Sequence, residues 1–167
     1  MPDIKVLAPD EWLILKNIRL SALRDSPNAF LSTYEREKEY QERKWREEFS
    51  RGEWSVGIEK DTPISLVGVT RETDSPTGQC YLEYLWVLPA FRRSGIAISM
   101  LNVVLDRLRA SGIQTVYLWV LDGNEVATRL YKRVGFVSSN RRQPLPEQPW
   151  RSEEEMQLHL ADQRRAT

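Results

Sequence analysis

One succession constrains this chain more than any other: an apolar run, a turn of small residues and an amphipathic stretch. Tyr81 to Leu88 is rich in aromatic and aliphatic side chains, as strands are. Pro89-Ala90-Phe91-Arg92-Arg93-Ser94-Gly95-Ile96-Ala97 follows, and Ala97, Leu101, Val104, Leu105 and Leu108 then recur at helical spacing up to Gly112. The order is strand, turn, helix. A helix start carries unpaired N–H groups and a partial positive charge, so this turn reads as an anion-binding site reinforced by Arg92 and Arg93.

The remaining chain surrounds that unit with alternating strands and helices. Ile4 to Leu7 reads as a first strand, and Pro9-Asp10-Glu11 opens a helix that stops near Ser26-Pro27. Asn28 to Tyr34 is an irregular connection, and Glu35 to Glu48 is a densely charged helix anchored by Tyr40 and Trp45. Strands follow at Trp54–Ile58 and Ile64–Thr70, separated by a turn at Asp61-Thr62-Pro63. A loop spans Asp74 to Gly78. After the central unit come a strand at Ile113–Val120 and a helix at Asn124–Val134 closed by Gly135, with Phe136-Val137 starting another strand. Ser138 to Ser152, with Pro144, Pro146, Pro149 and the pair Arg141-Arg142, reads as a loop. Glu155–Leu160 is a last strand, and Ala161–Thr167 should fray. The expectation is one α+β domain over residues 1–167.

Composition narrows the function. Lysine plus arginine and aspartate plus glutamate balance at 24 each, so no global field favours nucleic acid or an anionic membrane. No apolar run reaches bilayer-spanning length, and the first residues lack the apolar core of a signal peptide. One cysteine, Cys80, allows no internal disulfide, which is compatible with a reducing, cytoplasmic setting. One histidine and one cysteine make no ligand cluster, so no metal is expected; His159 reads as structural. The turn has one glycine where a dinucleotide fingerprint needs three, and it lacks the Gly-Lys-Ser/Thr ending of a P-loop.

The arrangement Val87-x-Pro89-x-x-Arg92-Arg93-Ser94-Gly95-Ile96-Ala97 resembles the acetyl-CoA motif of the GCN5-related N-acetyltransferases, Arg/Gln-x-x-Gly-x-Gly/Ala. A second block, Asn124-x-x-Ala127-x-x-Leu130-Tyr131-x-x-x-Gly135-Phe136, is similar to that family's next conserved segment. Arg19 to Phe30 also resembles bacterial members, without naming a substrate. The resemblance implies an α/β/α layered fold with a mixed, mostly antiparallel sheet, splayed at its central strands and flanked by about four helices. It implies acetyl-CoA as co-substrate, an amine acceptor, and direct transfer in a ternary complex by a monomer or homodimer.

Site residues follow from the same resemblance. The main chain of Leu85, Trp86 and Val87 would meet the pantetheine arm. The N–H groups of Arg92, Arg93, Ser94, Gly95, Ile96 and Ala97 would cradle the pyrophosphate. Asn124 would contact the pantetheine or cap its helix. Tyr131 would be the general acid to the leaving thiolate, or a core aromatic of its helix. Glu83, on an otherwise apolar strand, would be the general base, or a structural or substrate-binding carboxylate, with Glu72 and Glu155 as alternatives. Phe30, Tyr34, Trp86 and Trp119 are candidate walls of an acceptor pocket formed by the first two helices, residues 27–34 and the late Pro-rich segment. Rival readings are a non-catalytic acyl-CoA-binding module, an O-acetyltransferase and a longer-acyl transferase.

Overall fold

The computed structural model describes residues 1–72, 74 and 76–160. Ser75 of the expected loop and the expected frayed tail Ala161–Thr167 lie outside them.

Seven strands form one sheet. They are β1 (Asp3–Val6), β2 (Gly52–Glu59), β3 (Thr62–Thr70), β4 (Gln79–Val87), β5 (Thr115–Leu121), β6 (Val137–Leu145) and β7 (Gln148–His159), ordered β1-β2-β3-β4-β5-β7-β6. Every neighbouring pair is antiparallel except β4 and β5. Helices α4 (Ile96–Ala110) and α5 (Glu125–Val134) cover one face, where Met100, Leu101 and Val104 are buried against Val67, Leu82 and Val116. On the other face lie α1 (Trp12–Asp25), the short α2 (Tyr34–Glu37) and α3 (Glu42–Ser50). There Leu15, Ile18, Ala22 and Phe49 close on Trp54, Leu66 and Trp86. The layered α+β architecture matches the expectation.

Three local expectations need correction. The charged stretch Glu35 to Glu48 is two helices rather than one. Thr33 caps α2 through Arg36 N–H at 3.2 Å, Glu37 is drawn under Arg19, and the chain restarts at the extended Gln41 so that Trp45 and Phe49 can be buried. The β2–β3 turn lies at Lys60-Asp61, both at positive φ, and Thr62-Pro63 already belong to β3. Ser138–Ser152 is not a loop but most of the β6–β7 hairpin, turning at Pro146-Glu147. As the outermost strand, β6 tolerates Pro144, whose missing N–H removes no ladder bond on the solvent side. Polar pairs replace apolar alternation across this hairpin: Arg141 reaches Glu155 at 3.1 Å and Gln143 Nε2 donates to Glu153 at 2.7 Å.

The central irregularity is in β4. Gly68 opposes Glu83, but Leu66 opposes Trp86, so β4 carries an extra residue against β3. Tyr84 takes φ 60° at that bulge, a conformation a side-chain-bearing residue holds only when its surroundings enforce it. Trp54 supplies that enforcement: its ring centroid lies 5.3 Å from that of Tyr84, and its indole N–H donates to Phe49 O at 2.8 Å. Gly68 makes room for this Trp54 ring, since a Cβ there would come within 2.6 Å of it. Gly68→Ala is therefore expected to destabilise the fold by about 1–3 kcal/mol, as overpacking does. Urea unfolding checks this, and an unchanged midpoint would contradict it.

Candidate active site

The bulge coincides with a break in the sheet. β4 and β5 pair only from Gln79–Tyr81 to Thr115–Tyr117, although both strands run on to Val87 and Leu121. Beyond Tyr81 the facing edges separate, and backbone groups that a regular sheet would pair are left facing a gap. The separated residues 82–85 and 119–121 line a cleft of about 470 Å³ beneath α1 and α2, and β4 runs on from it into the turn that follows Val87.

In the turn, Arg93 and Gly95 adopt φ 62° and 84°. Among the described residues, the N–H groups of Arg93, Ser94 and Gly95 donate to no backbone carbonyl outside the regular elements. The first N–H groups of α4 follow directly and have no intrahelical acceptor. Alternating backbone conformations of this kind turn successive N–H groups toward one point, a concavity suited to phosphate. A Cβ on Gly95 would meet nothing within 4 Å, so its positive φ, rather than crowding within the protein, is what favours glycine.

The side chains of this turn do other work. Ile96 is buried in the core, and Ser94 Oγ donates to Phe91 O at 2.5 Å, so each has its N–H to offer an anion. Arg92 is committed to the protein: its Nε donates to Val87 O at 2.8 Å and Nη2 pairs with Asp25. That bond also occupies the Val87 carbonyl, which reduces the expected Leu85–Val87 main-chain edge. Trp86 is buried in the α1-side core, its indole N–H 3.0 Å from Asp25, so it walls no pocket. Leu85 faces the cleft and Arg93 is exposed beside the turn.

Asp25, at the end of α1, was not singled out by the sequence. Its Oδ2 also accepts from Ser26 Oγ at 2.6 Å, and these hydrogen bonds, led by that of Ser26, hold its pKa below the ordinary aspartate value against partial burial. One carboxylate thus ties α1, β4 and the turn together. Sequence offered no signal, because Asp25 and Arg92 are far apart along the chain and neither lies in an informative spacing.

The cleft brings the two expected catalytic groups together. Glu83 stands on its floor at the bulge, and Tyr131 and Asn124 project from α5. Glu83 keeps access to solvent, yet the cleft walls strip much of its hydration. That desolvation raises its pKa above the ordinary glutamate value, against a Thr70 hydrogen bond and the charges of Arg51 and Arg19. Tyr131 packs edge-on to Phe136 at 5.8 Å, and its hydroxyl has no hydrogen-bond partner among the described residues. Burial pushes its pKa up to about 12, so it stays protonated and able to donate. Asn124 caps α5, its Oδ1 accepting from Ala127 N–H at 3.2 Å, which leaves its amide donors for the cleft.

Other expected residues sort differently. Phe30 and Trp119 line the cleft, whereas Tyr34 is held away by Arg24, at 2.5 Å, and the late Pro-rich segment contributes no lining residue. Glu155 is fully buried and engaged by Tyr81, Ser139 and Arg141, which leaves no free oxygen for base chemistry. Cys80 is buried with its thiol pushed up to about 11, far from a thiolate nucleophile. His159 lies 3.0 Å from Thr115 Oγ1 on neighbouring strands. Arg19, Glu37 and Ser32 also line the cleft and were not singled out; the signal for Arg19 was a charge on the apolar stripe of Leu15, Ile18 and Ala22.

Comparison with known proteins decides the family. The acetyltransferase (GNAT) family model matches residues 18–136. The chain belongs to the GNAT family. Among curated GNAT relatives, the chloroplastic GCN5-related N-acetyltransferase 6 of Arabidopsis thaliana is 41% identical over 56 residues, 34% of this chain and 19% of that protein. The ribosomal protein bS18-alanine N-acetyltransferase of Haemophilus ducreyi is 42% identical over 52 residues, 31% of this chain and 36% of that protein. These matches thus span well under half of either relative. The GNAT fold extends through the whole structure: yncA of Salmonella typhimurium, solved with its cofactor acetyl-CoA, superposes with a TM-score of 0.72 at 18% identity, covering 96% of this chain and 94% of that one.

The raised pKa of Glu83 has a consequence for stability. The folded chain holds this proton to a higher pH than the unfolded chain, so stability falls as pH rises through that interval. Glu83→Gln removes the penalty. Circular dichroism melts should show the variant more thermostable than the wild type at pH 7, with the gap closing by pH 3; equal melting at both would contradict the desolvated carboxylate.

Proposed function

We propose that the protein transfers the acetyl group of acetyl-CoA to a primary amine. The observation that carries this reading is the unpaired stretch between β4 and β5, which lines the cleft holding Glu83 and Tyr131 and runs along β4 toward the turn with its free N–H groups. N–H groups from Arg93 to Ala97 hold the pyrophosphate, with the α4 dipole behind them. Arg92 acts from behind, fixing the turn to Asp25. The free edge of β4 at Leu85 and the Asn124 amide face the pantetheine arm. Acetyl-CoA supplies the thioester as an activated acyl donor.

In the cleft, Glu83 takes a proton from the acceptor ammonium, directly or through water, and so generates the neutral amine. That nitrogen forms a bond to the acetyl carbon as the carbon–sulfur bond breaks. Tyr131 passes its hydroxyl proton to the departing sulfur, and the proton that the acylated nitrogen sheds to become an amide returns through the solvent-connected cleft to the tyrosinate. The amide and the free thiol of coenzyme A are the products. No covalent enzyme intermediate is required, in keeping with the buried, protonated Cys80.

Thiol release from acetyl-CoA across a panel of amines tests the reading. Tyr131→Phe should lower kcat by about 100-fold, the usual scale of a general acid, while the acetyl-CoA Kd stays within about threefold. Unchanged turnover would return Tyr131 to the core. Acetyl-CoA binding without thiol release from any amine would favour a non-catalytic module.

A further inference from the structure

Arg19 is 6% exposed, and its surroundings hold it rigid. Nε donates to Glu37 Oε2 at 3.1 Å and Nη2 to Oε1 at 3.0 Å, a fork engaging both carboxylate oxygens. The guanidinium carbon lies 4.1 Å from the ring centroid of Tyr84 and 4.8 Å from that of Phe30. The fork to Glu37 and the contacts with two aromatic rings hold the guanidinium in place. Its third nitrogen, Nη1, is buried with no hydrogen-bond partner. The hydroxyl of Ser32 is in the same condition. Both residues line the cleft that holds Glu83.

Two orphaned donors in one cleft are unusual, because a buried donor left unpaired costs about 1–3 kcal/mol. Packing does not require either. Glu37 satisfies the charge of Arg19 without Nη1, and Ser32 lies on an irregular connection where an alanine would fit. What both lack is an oxygen to accept from them. The charge pattern specifies its kind. The cleft is lined by four cations, Arg19, Arg36, Lys44 and Arg51, and four carboxylates, Glu37, Glu48, Glu83 and Glu153, so its wall as a whole carries no net charge. A neutral carbonyl oxygen suits such a wall better than a carboxylate, and the Glu83 carboxylate remains for the ammonium.

We infer that Arg19 Nη1 and Ser32 Oγ form an oxygen-reading subsite, which selects acceptors bearing a carbonyl on the carbon adjacent to the amine-bearing one. The acceptor class is the α-amino carbonyl compound: an amino-acid amide or the first residue of a peptide. Its amine lies toward Glu83 while its carbonyl accepts from Arg19 and Ser32. This rests on the acceptor end of the cleft proposed above, but it is a statement about binding and can be tested without turnover.

The test is titration of the CoA-loaded protein, followed by tryptophan fluorescence, with propylamine, glycine, glycinamide and glycylglycinamide. Glycinamide should bind at least 10-fold more tightly than propylamine, and Ser32→Ala should narrow that ratio by about fivefold. A further gain with glycylglycinamide assigns the subsite to peptides; equal affinity assigns it to small amides. Equal binding of glycinamide and propylamine overturns the inference, as does a ratio untouched by Ser32→Ala. Tighter binding of glycine than of glycinamide overturns the neutral-carbonyl assignment. Selective binding without acetylation of any ligand sustains the subsite and sinks the transfer reaction, so the two failures are distinct.

Discussion

Everything distinctive about this molecule depends on one interrupted ladder. Among the described residues, β4 and β5 are the only parallel neighbours in the sheet, and they stay paired for three residues before parting. A sheet interior with unpaired backbone is costly, so such a break persists only if something holds it open and something else uses it. The bulge at Tyr84 holds it, with Trp54 stacked on the tyrosine and Gly68 making room for both. A ligand arm that can pair with the exposed edge would use it.

The second constraint is how the two ends of the gap are fixed relative to each other. Asp25 gathers Trp86, Ser26 and Arg92 on one oxygen, joining the last turn of α1 to β4 and to the turn that follows it. Arg19, further back on the same helix, joins α2 through Glu37 and rests on Tyr84. A single helix therefore carries a contact to the turn after β4 near its end and a contact to the cleft holding Glu83 near its middle. Displacement of α1 would disturb both, which is a mechanical reason for the turn and the cleft to keep a fixed separation.

Local spacing made much of this legible. The strand-turn-helix unit around Gly95 and the helix from Asn124 to Gly135 announce themselves because short-range rules decide them: helical periodicity, a capping asparagine and glycines at positive φ. The β6–β7 hairpin was hidden by composition. Its prolines and arginines read as a loop, and only the partners Glu153, Glu154 and Glu155 across the ladder make it a strand. The bulge was hidden for another reason, since nothing in Glu83-Tyr84-Leu85 shows that Trp54 will enforce a positive φ. Tyr131 was singled out through the family pattern and Glu83 as a carboxylate on an otherwise apolar strand; that the two share a cleft, and that burial raises both pKa values, is a property of the tertiary structure.

The central claim is that the turn after β4 and the free edge of β4 together receive acetyl-CoA. Backbone amide chemical shifts of the ¹⁵N-labelled protein, recorded as acetyl-CoA is added, test it most directly. The largest changes should fall on Arg93 to Ala97 and on Leu85, with smaller ones at Asn124. Saturable binding that leaves those amides unmoved and perturbs the outer faces of α3 or β6 instead would contradict the account.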